Sequence, residues 1–184
     1  RRVLFRSRQH PGKLYFSSAG AGSGTHLAFE LFAALSKISA VHVPYKGGSA
    51  ALVDLAGGHV QLMFSNVINC MPYVRNKRLI ALGISTPKPS PLFPGLPAVA
   101  ESGLPGYEAD TWYGVLAPAR VPADIVTRLN REINAILRTA DVREKLAAQG
   151  AEVAVSTPEE FAALMRREIQ KWGKVTSGLK LQLQ

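Results

Sequence analysis

The chain has 184 residues, 47 per cent hydrophobic and 19 per cent charged, with 22 Lys and Arg against 13 Asp and Glu for a formal net charge of +9. An apolar share of that size excludes a globally disordered chain, and the lack of any uncharged apolar run of about 18 residues excludes a membrane-spanning helix. A chain this long buries roughly 70 per cent of its unfolded surface, which suits one core or two small lobes.

In chain order, the first feature is basic. Residues 1–7 read RRVLFRS, without helical or strand periodicity. The string matches the translation of a common sequencing-adapter read-through, so 1–10 are expected to be a non-native or disordered start. Setting aside Arg1, Arg2 and Arg6 lowers the charge from +9 to +6. The other cations are spread along predicted helices with acidic residues four positions away, Arg128 with Glu132 and Lys145 with Asp141. Such pairs read as solvated faces, and no aromatic-basic platform accompanies them, which argues against nucleic acid as a partner.

From Pro11 to about Thr86, short apolar runs alternate with helical patterns. Residues 14–18 predict a strand, followed by the loop AGAGSGT and a helix from about Thr25 with Leu27, Leu31, Phe32 and Leu35 on one face. The unit repeats: a strand over 41–45, a turn at Lys46-Gly47-Gly48, and a short helix over 49–56 stopped by Gly57-Gly58. A third strand is expected over 60–64, a short helix over 71–75, and a fourth strand over 79–85. Strands separated by helices imply a parallel sheet.

Residues 86–106 hold six of the twelve prolines, so an extended surface segment is expected, with at most one helical turn over 98–102. The stretch 107–118 alternates enough for a strand. Helices follow: one opened by Pro122 with Ile125, Leu129, Ile133, Ile136 and Leu137 on a face, one capped by Asp141, and one begun by the capping box Thr157-Pro158-Glu159-Glu160 that should bury Phe161, Leu164, Met165, Ile169 and Trp172. Few helices and one strand do not close a covered sheet, so 107–184 read as an incomplete second lobe.

Chemistry concentrates at the strand-to-helix junctions. Residues 17–26, SSAGAGSGTH, place glycines and hydroxyls where free N–H groups of a helix start make an anion site. Gly24-Thr25-His26 stands where a nucleotide P-loop needs Gly-Lys-Ser/Thr, and GAGSG departs from GxGxxG, so a small carboxylate fits better than a triphosphate. Tyr45-Lys46-Gly47-Gly48-Ser49 repeats the pattern with a cation, and Ser65-Asn66 follow the third strand. In a parallel sheet the three junctions share its carboxyl edge. Ser23, His26 and Asp54 can be imagined as a triad, yet no GxSxG elbow is present. His10, His26, His42 and His59 lack metal-ligand spacing, and Cys70 is alone, so neither a metal nor a cofactor is expected. His42 and His59 read as structural or solvent-facing, and Trp112 and Tyr113 as cleft-lining or packing residues.

The strings PGKLYFSSAGAGSGTHLAFELF, HVPYKGGSAALVDLAGGHVQLMFSN, LIALGIST, GLPGYEADTWYGVLAP and the helix ending KWGKV together resemble the Bug-type solute receptors of tripartite tricarboxylate transporters, over about 11–175. The resemblance implies an α/β, type II periplasmic-binding-protein fold with one complete lobe (11–106) and the returning strand and C-terminal helices of another (107–184). It implies a truncated chain whose signal peptide and first-lobe strands lie upstream. It further implies a periplasmic protein, monomeric when complete and without catalysis, that binds a small organic carboxylate and delivers it to membrane subunits. Carried over by position, the ligand-binding residues are Ser18, Gly22, Ser23, Thr25, His26, Lys46, Gly47, Gly48, Ser49 and Asn66. The alternative is a small-molecule hydrolase or transferase using Ser23 and His26.

Overall fold

The structure is a computed structural model that describes residues 12–177; the basic start and His10 lie outside the described residues. One compact unit ends at Thr111 and a second runs from Trp112 to Lys174.

The first unit is built on β1 (Tyr15–Ser18), α1 (Gly24–Ser36), β2 (Val41–Pro44), α2 (Gly48–Ala56), β3 (Leu62–Met63) and α3 (Val67–Arg75). The strands form a parallel sheet in the order β2-β1-β3. As the central strand, β1 is covered on both faces: Phe16, Ser17 and Ser18 are fully buried. Its two serines are tolerated there because each hydroxyl finds a partner, Ser17 Oγ donating to Ala51 O at 3.5 Å and Ser18 Oγ bonding within the following loop.

Ser23 caps α1 by accepting the His26 N–H, and the helix ends where Lys37 turns left-handed. Its buried face is His26, Ala28, Phe29, Phe32 and Ser36, whereas Leu35 is exposed. The stripe of leucines expected from spacing is thus rotated, because aromatic rings win the contact with the sheet. Phe16 stacks on Phe29 with centroids 3.5 Å apart, and Phe29, Phe32, Phe64 and Tyr107 continue the cluster at 5.6–6.3 Å. Such clusters add to plain area burial.

Two expected strands do not form. Over 79–85 the backbone makes one isolated parallel bridge, Ile84 to Ala98, and Ile80 and Leu82 are exposed. Over 107–118 no strand is present; Ala109 N–H reaches Ser85 O at 3.1 Å, but Tyr113, Val115 and Leu116 are largely exposed. Alternating apolar residues become a strand only beside a ladder partner, and neither stretch finds an extended one among the described residues. The Pro-rich segment does carry one short turn of 3₁₀ helix, Ala100–Ser102.

The second unit carries α4 (Ala123–Leu137), α5 (Ala140–Ala148) and most of α6 (Pro158–Ser177). Pro122 is the N-cap of α4 and Thr139, in place of Asp141, that of α5, leaving Asp141 in the first turn to pair with Lys145 at 2.9 Å. Glu132 pairs with adjacent Arg131, 2.7 Å away. The capping box at α6 forms as its sequence dictates: Glu160 N–H donates to Thr157 Oγ1 at 3.2 Å and Thr157 N–H to Glu160 Oε2 at 2.9 Å. Ile125, Leu129, Ile136 and Ile169 are exposed and no residue of the three helices is fully buried. Phe161, Leu164, Met165 and Trp172 are half-buried, with Trp112 edge-on to Phe161 at 5.3 Å.

Candidate functional site at the carboxyl edge of the sheet

The ladder register pairs Ser18 with Pro44 and Ser17 with Met63, so the loops leaving β1, β2 and β3 emerge along one edge. The chain passes from β1 to β2 on one side and then returns to place β3 on the other. This is a topological switch point, where adjoining loops diverge and open α/β sheets bind ligands.

The first loop is largely self-satisfied. Ala19 N–H donates to Thr25 Oγ1 at 2.9 Å, Gly20 N–H to Ser18 Oγ at 3.1 Å, and Gly22 N–H to His26 Nδ1 at 3.0 Å. Ser23 Oγ donates to Gly20 O at 2.7 Å and approaches Thr25 Oγ1 at 3.0 Å. These hydroxyls therefore serve the loop's own backbone. Gly20 holds φ +135°, and an added Cβ would sit 3.2 Å from Tyr45 O, so the first loop presses directly on the second.

The second loop is more open. Tyr45 N–H bonds Ser18 O and Gly47 N–H bonds Ala19 O, both at 3.1 Å, which ties the two junctions into one piece. Gly47, at φ +114°, is the N-cap of α2 and has no side chain to occupy the helix end. Among the described residues the N–H groups of Gly48, Ser49 and Ala50 meet no acceptor, and Lys46 and Ser49 are exposed beside them. Tyr45 Oη donates to Asp54 Oδ2 at 2.6 Å, a bond that raises the phenol's pKa and holds the ring against α2. At the third junction Asn66 caps α3 by backbone position, and its Oδ1 accepts from Thr111 Oγ1 at 3.2 Å.

Two histidines lie beneath the first loop. His26 and His42 stack with centroids 3.9 Å apart and planes 6° from parallel, next to Phe16. His42 Nε2 is 2.6 Å from Ser18 Oγ, and His26 Nε2 faces Glu30 Oε1 at 3.5 Å. Burial lowers the His26 pKa; burial and then the neighbouring His26 push His42 down to about 4. Burial raises Glu30. Both rings are accordingly neutral near pH 7, and a neutral His26 whose Nδ1 accepts from Gly22 carries its proton on Nε2, toward Glu30.

His42, read from sequence as structural or solvent-facing, stands opposite Phe16 in the ladder and stacks on it and on His26, whereas sequence reasoning passed over Tyr107, which plugs the core and donates its hydroxyl to Ala28 O at 3.0 Å. Ser23 and His26 meet through the His26 backbone N–H. No described bond joins the Ser23 hydroxyl to the imidazole, and Asp54 is taken by Tyr45. Among the described residues no group of three or more His, Cys, Asp or Glu could hold a metal ion.

A profile described as the tripartite tricarboxylate transporter family receptor matches residues 3–181. The chain belongs to this receptor family. A UPF0065 protein from the tcbD-tcbE intergenic region of Pseudomonas sp. strain P51 is 41% identical over 174 residues, covering 94% of this chain and 52% of the relative. BugT of Bordetella pertussis is 35% identical over 181 residues, covering 97% and 56%. Among solved structures, R. palustris Rpa4515 with adipate superposes with a TM-score of 0.88 at 35% identity over 95% of this chain and 58% of that one. MatC from Rhodopseudomonas palustris with bound malate gives 0.80 at 31% identity, over 94% and 60%. The chain thus spans between half and two thirds of these proteins, and its parallel α/β unit has the fold of Bug-type receptors.

Proposed function

We propose that this chain forms the carboxylate-binding half of an extracytoplasmic solute receptor that hands a small organic acid to the membrane subunits of a tripartite transporter. The observation that carries the reading is the amino end of α2. There, among the described residues, N–H groups of Gly48, Ser49 and Ala50 meet no acceptor at the sheet's carboxyl edge, and exposed Lys46 lies two residues before Gly48. Converging N–H donors at a helix start, plus one exposed cation, suit a carboxylate. In this reading Lys46, Gly47, Gly48 and Ser49 form the contact surface, Gly22, Ser23 and Thr25 its neighbouring wall, and Asn66 its third side. Ser18 and His26 hold the wall in shape. Adipate and malate in the two R. palustris structures support the ligand class.

The test is thermal stability with a panel of mono-, di- and tricarboxylates. It is run on this chain and on a chimera carrying the portion of Rpa4515 that the match does not cover. A ligand that binds only the folded state at about 100 times its Kd stabilises by about 2.7 kcal/mol, so at least one acid should raise the chimera's transition. No shift with any carboxylate overturns the proposal. Hand-over is checked by uptake into vesicles bearing the transporter subunits, which should depend on added receptor.

A further inference from the structure

The stacked histidines do more than fill the core. His26 is 5% exposed, yet it sits in the first turn of α1 directly under the glycine loop, and its Nδ1 takes the Gly22 N–H at 3.0 Å. That acceptor exists only while Nδ1 is unprotonated; a second proton turns it into a donor facing another donor. Among the described residues, the titratable neighbours of the ring are Glu30 on its own helix, 3.5 Å from Nε2, and His42 on β2, stacked 3.9 Å away; from β1 it meets Phe16. Glu30 is therefore placed to receive a charged His26, while stacked His42 resists sharing that charge. From the same pair, His42 Nε2 reaches Ser18 Oγ, the atom that accepts the Gly20 N–H.

We propose that His26 is a positioning residue, a proton-sensitive clamp that sets the 19–23 loop through Gly22. When neutral it holds the loop closed beside the second junction. When protonated it turns from Gly22 toward Glu30, and the loop loosens. The clamp stands on the loop geometry alone; its consequence, weaker carboxylate binding in acid, rests on the receptor reading above.

Two variants separate the clamp from mere packing. His26→Asn keeps a short acceptor near the Nδ1 position and never titrates, whereas His26→Phe keeps an aromatic ring for His42 and removes the acceptor. The readout is hydrogen exchange of the Gly22 amide in the full chain, corrected for intrinsic rates, with long-range ¹H–¹⁵N spectra reporting the His26 tautomer. Gly22 should be protected in the wild type and in His26→Asn at about pH 7.5, and exchange about tenfold faster in His26→Phe, the factor for loss of one bond of about 1.4 kcal/mol. The wild type should lose protection as the pH falls below the ordinary histidine range, in step with His26 protonation, while His26→Asn stays protected. Equal Gly22 protection in His26→Phe, or the same acid loss in His26→Asn, overturns the clamp. Should His26→Phe fail to fold, the wild type against His26→Asn comparison still decides. Adipate affinity, measured on the chimera across the same pH range, should fall in acid for the wild type and not for His26→Asn. A clamp seen at Gly22 without adipate binding at any pH would refute the receptor reading and leave the clamp standing.

Discussion

Replacing Gly20 with alanine tests whether the first two loops at the sheet's carboxyl edge are pressed into one rigid piece. The backbone there holds φ +135°, a region that L-residues avoid at a cost of order 1–3 kcal/mol. The new methyl would also lie 3.2 Å from the Tyr45 carbonyl oxygen. That oxygen cannot retreat freely, because the Tyr45 N–H is bonded to Ser18 O and Gly47 N–H to Ala19 O. Strain and contact together should lower stability by about 2–3 kcal/mol. Gly24→Ala is the matched control: Gly24 opens α1, has no positive φ, and an added Cβ meets nothing within 4 Å. Alanine there should be neutral or stabilising by up to about 1 kcal/mol, through higher helix propensity. Urea unfolding followed by far-UV circular dichroism, with the slope checked for constancy, gives both values. If Gly20→Ala is as stable as Gly24→Ala, the close approach of the loops is refuted.

Acid should weaken the first unit in a defined window. A histidine whose folded pKa is lowered binds its proton more readily when unfolded, so stability is full above about pH 7 and falls as the pH drops from about 6.5 toward about 4. For His42, moved from 6.5 to about 4, the loss is at most about 3 kcal/mol. His26 acts in the same direction, whereas Glu30, raised by burial, favours the folded state as it protonates and offsets part of the loss. Unfolding free energies at about pH 7.5 and 4.5 check this, and a flat profile between them would contradict the buried neutral pair. Tyr107→Phe removes the hydroxyl that donates to Ala28 O while keeping the ring in its aromatic cluster. It should cost about 0.5–1.5 kcal/mol, measured by the same urea titration, and no loss would show that the bond contributes nothing.

The local signals were legible because they rest on short-range chemistry. LYFSS, VHVPY, the glycine turns, and the Thr157 to Glu160 box each dictate their own conformation, and the structure forms β1, β2 and the box where those residues stand. The strands over 79–85 and 107–118 were misread because alternation records which residues could face a core, not whether a ladder partner arrives. The expected face of α1, Leu27, Leu31, Phe32 and Leu35, was right at Phe32 and wrong at Leu35 for a related reason: spacing ranks these residues alike, but contact with Phe16 and Tyr107 turns Phe29 and Phe32 inward. At the carboxyl edge of the sheet, sequence named three junctions that the ladder register does bring together, but could not divide the labour among them. Ser18, Thr25 and His26 read as free donors and acceptors, while hydrogen bonds spend them on the loop itself. The N–H groups of 48–50 stay open because Gly47 offers no side chain to close them.

The strand order carries a consequence for how the chain reaches this state. Since β1 is central, Tyr15 must wait for Val41, and Phe16 for Leu62, before either side of its ladder exists. Parallel pairing across intervening helices is slow, because loop closure precedes any reward from contacts. During that interval the most buried strand of the sheet is an unpaired template, exposed to other chains. Its sequence limits the hazard: of four residues, two are serines, so the strand that must wait for both its partners is also one of weak apolar appetite while it waits.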